Sequence, residues 1–149
     1  MALQDRLTTI QRNSPEKYKY VVANILLAKQ VLKQAEAYKP NRGEIPQGGL
    51  GGVGIENWIL QNGGSFIDAA KSFVEAADGK SFSEFTSAYQ IWDFGDNHLA
   101  ERRGFYPHDN FVSNNMGESG YQKMVQALKE YLKNIEMEQV QIEGVKRQV

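Results

Sequence analysis

The chain has 149 residues, 41% hydrophobic and 11% aromatic, enough to bury one sizeable core and within the size range of a single domain. A formal net charge of -1 removes the bulk attraction of a general nucleic-acid binder, so any such contact has to be a local patch. Cysteine is absent, which excludes disulfide and thiolate-metal frameworks. With neither an apolar leader behind a basic start nor a run of about 18 apolar residues, a soluble, cytoplasmic protein without a membrane span is expected.

In chain order, Leu3, Leu7 and Ile10 are spaced for one face of a short helix ending at Arg12 and Asn13. Ser14, Pro15 and Glu16 supply a capping hydroxyl, a proline whose missing N–H costs nothing there, and an acid at the positive end of the dipole. A long helix is predicted from there to about Tyr38. Its apolar positions are Tyr18, Val21, Val22, Ile25, Leu32 and Ala35, and the run from Lys39 to Gly43, with Pro40, breaks it. A glycine-rich loop follows, then a helix over 55–61 stopped by Asn62, Gly63 and Gly64. Ser65 caps a helix carrying Phe66, Ala69, Phe73 and Val74; Ser81, with Glu84 completing a capping box, starts another with Phe82 and Phe85. "YQIWDF", 89–94, has strand character, and 95–117 has the composition of loop. Ser119 with Gln122 is predicted to cap a last amphipathic helix through Tyr121, Met124, Val125, Leu128 and Leu132. The expected fold is mainly α: one compact domain over 1–149 of five to six helices with a small β element near 89–94. Its core lies in 14–135, and 136–149 forms a loosely packed tail.

Residues 45–66 hold seven of the fourteen glycines, so this segment needs an explanation. Gly49-Leu50-Gly51-Gly52-Val53-Gly54 fits G-x-G-x-x-G, but the dinucleotide fingerprint needs a preceding strand and a later acidic strand end. "NRGEIPQ" before the loop carries a glycine and a proline, and a helix around Phe73 occupies the later place, so that assignment is set aside. Asp93-Phe94-Gly95 after a glycine loop mimics a protein kinase, but there is no H-R-D loop and the chain is too short. Two readings of the loop remain. Glycines there permit positive φ and a close helix crossing with no ligand, or they let an anion approach the positive end of the following helix.

"LLAKQVLKQAEAY", "GGLGGVGIENWIL", "GGSF" and "NFVSNNMGESGYQKMVQALKEYL" resemble, in order and spacing, the helical second domain of the template-independent nucleotidyltransferases. These are the poly(A) polymerases, the oligoadenylate synthetases and the archaeal-type CCA-adding enzymes, the last being closest in pattern. Lys29 and Tyr38 keep the family's nine-residue spacing, Gly48, Gly49 and Gly52 its loop, Glu56 its acid, Gly64-Ser65-Phe66 its next turn, and Asn110 and Asn114 its two asparagines. The resemblance spans about residues 14–135. It implies that Lys29 and Tyr38, with the backbone of Gly49, Gly51 and Gly52, hold the phosphates of a nucleoside triphosphate. Lys29 would supply a point charge and Tyr38 a hydroxyl donor. It also implies that Arg102, Arg103, Asp109 and Asn110 face the base or an RNA 3′ end. Gly51 and Val53 stand where the family has a serine and a tyrosine, and Asp109 where it has an arginine.

None of the six aspartates is followed two positions later by Asp or Glu, so the paired acids that hold two divalent ions in nucleotidyl transfer are missing. No catalytic residue or cofactor is expected in this chain. Mg²⁺ is expected only with a catalytic domain, which would lie upstream in the same polypeptide or on a separate one. Two alternatives stand beside this: a free-standing binding or interaction module with the same fold, and a small metal-dependent hydrolase using Asp93, Asp96, His98, His108 and Asp109. The plainer account of that last cluster is a turn-rich loop, where Asp side chains cap turns.

Overall fold

In the computed structural model, residues 3–38, 52–89, 91 and 117–148 are described, with side chains at 5–38, 52, 54–89, 91 and 117–139. These residues form a mainly α fold of six helices: α1 (Leu3–Asn13), α2 (Pro15–Gln34), α3 (Gly52–Gln61), α4 (Phe66–Ala77), α5 (Phe82–Ala88) and α6 (Glu118–Gln148). None is long and apolar enough to cross a membrane.

Local chemistry explains most of the boundaries. Ser14 Oγ accepts the Lys17 N–H, with Pro15 as the first helical residue. Ser65 Oγ accepts the Asp68 N–H, and Ser81 and Glu84 form a reciprocal capping box. These bonds occupy donors that a helix start leaves without an intrahelical acceptor.

One apolar cluster joins the helices. Val21, Ile25, Ala28 and Leu32 face it from α2, Ile55, Trp58 and Ile59 from α3, Phe66, Ala69, Ala70 and Phe73 from α4, Phe85 from α5, and Tyr121, Met124 and Leu128 from α6. Trp58 lies edge-on to both Phe66 and Phe73, at centroid distances of 6.1 and 5.9 Å, an arrangement favoured by the aromatic quadrupole. Its indole N–H donates to Tyr89 Oη at 2.9 Å, and that hydroxyl also bonds Ser72 Oγ at 2.6 Å. On α2, Asn24 Oδ1 accepts the Phe66 N–H at 2.8 Å while its Nδ2 donates to the Tyr20 carbonyl. One mid-helix amide thus satisfies a donor in the first turn of α4 and fixes where α4 starts relative to α2.

Four boundaries differ from expectation. α2 stops at Gln34, not near Tyr38. α3 opens at Gly52, three residues before Ile55. α6 begins at Glu118, so Ser119 lies inside the first turn and Gly117 supplies the preceding carbonyl, which accepts the Tyr121 N–H. At the far end α6 stays helical through Gln148, although side chains 136–139 are exposed. The strand expected over 89–94 is absent from its described residues. Tyr89 caps α5 in an extended conformation, with its N–H donating to Phe85 O, and Ile91 is buried in the core. Tyr89 and Ile91 both pack on the core, Tyr89 in part. Gln90 and 92–94 lie outside the described residues.

Candidate functional site

The candidate site lies where the end of α2 returns against the start of α3. On a continuous helix, residues nine apart lie about 13.5 Å apart along the axis and on opposite sides, so Lys29 and Tyr38 could not converge. The early stop of α2 brings them together. Ala37 N–H donates to Leu32 O at 2.8 Å and Glu36 N–H to Lys33 O at 3.1 Å, the two reversed bonds of a Schellman ending. Glu36 takes the left-handed conformation, φ 59°. Ala37 is then buried beside Leu32, and Tyr38 folds back toward α3.

Glu36 stands where glycine is the usual occupant. An L-residue there costs about 1 kcal/mol, and its ion pair with Lys123, 3.8 Å with the glutamate 82% exposed, contributes little in return. Glu36→Gly is therefore expected to raise stability by about 0.5–1 kcal/mol, read as a higher urea midpoint.

At the convergence, a Cβ built on Gly52 would lie 3.2 Å from Tyr38 Oη and 3.9 Å from both Cε and Nζ of Lys29. Any side chain at 52 would fill that space. Gly52 is the first residue of α3, whose first turn carries no acid. A helix's first-turn amides have no intrahelical acceptor and carry roughly half a positive charge between them. Lys29 Nζ also donates to Glu56 Oε1 at 3.3 Å, with the two side chains 22% and 27% exposed. One of the ammonium's three donors is thus directed to a carboxylate one turn into α3. A cation, a phenol and a helix N-terminus around a side-chain-free backbone position suit an oxyanion.

Two features of this arrangement, the partner of Glu56 and the place of Lys33, are not legible in the sequence. The pairing of Glu56 with Lys29 has no local signal, because 27 positions separate them. Lys33 Nζ lies 4.7 Å from the centroid of the Tyr38 ring; its spacing of four from Lys29 put it on the same helix face.

Of the residues singled out earlier, Lys29, Tyr38, Gly52 and Glu56 come together here. Gly48, Gly49, Gly51, Asp93, Asp96, His98, Arg102, Arg103, His108, Asp109, Asn110 and Asn114 lie outside the described residues. Among the described residues no group of three or more His, Asp or Glu could hold a metal ion. Comparison with protein-family models, curated proteins and solved structures finds no match.

Proposed function

We propose that this chain binds a nucleoside triphosphate through its phosphates at the start of α3, as the substrate-gripping half of a template-independent nucleotidyltransferase. The catalytic acids would belong to another domain, in cis or in trans. An RNA 3′ end meeting Arg102, Arg103, Asp109 and Asn110, and a cytoplasmic setting, are parts of the same proposal.

One observation carries it: Lys29 Nζ and Tyr38 Oη converge on the bare backbone of Gly52 at a helix N-terminus. Chemically, Lys29 and Tyr38 would donate to phosphate oxygens while the first-turn amides take the remaining lone pairs. With no side chain at Gly52, the Tyr38 hydroxyl and the Lys29 ammonium lie close to the helix backbone. Glu56 holds the ammonium in place before the ligand arrives and offsets one positive charge, which leaves the helix dipole as part of the attraction.

Titration of the purified chain with ATP and with CTP, with and without Mg²⁺, tests this. Saturable binding is expected. Lys29→Ala should weaken it about tenfold to a hundredfold, the value of one charge-assisted hydrogen bond to phosphate. Absence of binding, or binding indifferent to Lys29, would remove the proposal.

A second reading is favoured by the Lys29–Glu56 pair itself. If that pair serves only to tie α2 to α3, the chain is an interaction module that has kept the fold without the ligand. Lys29→Ala would then lower stability by about 1 kcal/mol or less, as expected for a partly exposed ion pair, with no ligand effect to measure.

A further inference from the structure

Lys33 is exposed on α2, one turn beyond Lys29, and its ammonium lies 4.7 Å from the centre of the Tyr38 ring. That distance is within cation–π range. The same ring carries the hydroxyl that reaches the space beside Gly52. Tyr38 is the last described residue before the glycine loop and sits beyond the left-handed Glu36, so the α2 ladder no longer fixes its direction. The ring packs in part against the core, and from the α2 side the Lys33 ammonium lies over it.

The charges around the site point the same way. Glu56 offsets Lys29, so a site with Lys29 alone would present little more than the helix dipole, enough for a single phosphate group. Lys33, one helical turn from Lys29 and over the Tyr38 ring, adds a second cation on this side of α2. A chain of linked phosphates has the length and charge to use both.

We propose that Lys33 is a positioning residue for this site: it holds the Tyr38 phenol toward Gly52 and, as its second cation, makes it select polyphosphates over a monophosphate. This role rests on the phosphate-binding proposal above. The probes are ATP, inorganic tripolyphosphate and AMP, measured by calorimetric titration against wild type, Lys33→Met, Lys33→Arg, Tyr38→Phe and the Lys33→Met/Tyr38→Phe double variant.

Wild type should bind ATP and tripolyphosphate about tenfold or more tighter than AMP. Lys33→Met, which keeps the length of the side chain and loses the charge, should weaken ATP about fivefold and narrow the gap to AMP. Lys33→Arg should retain affinity, because a guanidinium also sits over an aromatic ring. In the Tyr38→Phe background the effect of Lys33→Met should shrink, since two residues acting through one contact are not additive. Thermal unfolding of Lys33→Met should match wild type, as the side chain is exposed.

If wild type binds none of the three ligands, the phosphate site itself is wrong and Lys33 has no role in it. If wild type binds ATP while Lys33→Met binds equally well, or Lys33→Arg fails to retain affinity, the phosphate site stands and the Lys33 assignment falls.

Discussion

Gly64→Ala is expected to destabilise the protein by about 3 kcal/mol or more. Gly64 has φ +79°, and a Cβ there would lie 2.5 Å from Cγ2 of Val21, far inside van der Waals contact. Left-handed backbone costs an alanine about 1–2 kcal/mol, and forcing a methyl into a packed core adds about 1–3 kcal/mol. Val21 cannot step aside, because it is β-branched, stiff at χ1 and 1% exposed. Gly63→Ala is the matched control. It shares the positive φ, +72°, but among the described residues no atom beyond its chain neighbours lies within 4 Å of a Cβ built there, so the backbone cost of about 1–2 kcal/mol is the one expected. Urea unfolding separates the two: the Gly64 variant should lose about twice the stability lost by the Gly63 variant or more, and Val21→Ala should recover part of the difference. Equal losses would show that α2 does not approach this turn as described.

Trp58→Ala should cost about 3–5 kcal/mol, the usual range for removing a buried large aromatic. Its side chain is fully buried between Phe66 and Phe73, and its loss also takes the donor from Tyr89 Oη, which keeps Ser72. Against a total stability of about 5–15 kcal/mol, either variant approaches the limit of folding at ambient temperature. Trp58→Phe keeps most of the apolar contact and should cost about 1–2 kcal/mol for the lost hydrogen bond and reduced volume. Denaturation followed by far-ultraviolet circular dichroism gives both values. A small loss for Trp58→Ala would mean that α3 does not pack against α4 through this residue.

What could be read in advance follows from how local each cause is. Caps at Ser14, Ser65 and Ser81 were legible because the hydroxyl and the N–H it accepts from are three residues apart. The end of α2 was not. Its turn is made by Glu36, a residue with no turn preference, while the conspicuous breaker, Pro40, lies further on, so the sequence pattern predicts helix as far as Tyr38. The early stop matters for the site, since nine residues of unbroken helix would set Lys29 and Tyr38 back to back. Their relation came from family resemblance, and the reversal at Glu36 supplies the geometry that spacing could not. The role of Asn24 has no local signal, because its bond is to Phe66, 42 positions away. Its one visible sign was a polar amide three after Val21 and four before Ala28 on the buried face. Of the strand expected over 89–94, the described residues Tyr89 and Ile91 are not in a strand, and both pack on the core, Tyr89 in part.

The central claim is that an anion docks on the backbone at the start of α3, between Lys29 and Tyr38. Following the Gly52 amide in ¹H–¹⁵N correlation spectra while ATP is added tests it most directly. A saturable shift at Gly52 among the largest in the spectrum, abolished in Lys29→Ala, is the predicted result. ATP-dependent shifts confined to other parts of the chain, with the Gly52 amide unmoved at saturation, would contradict it.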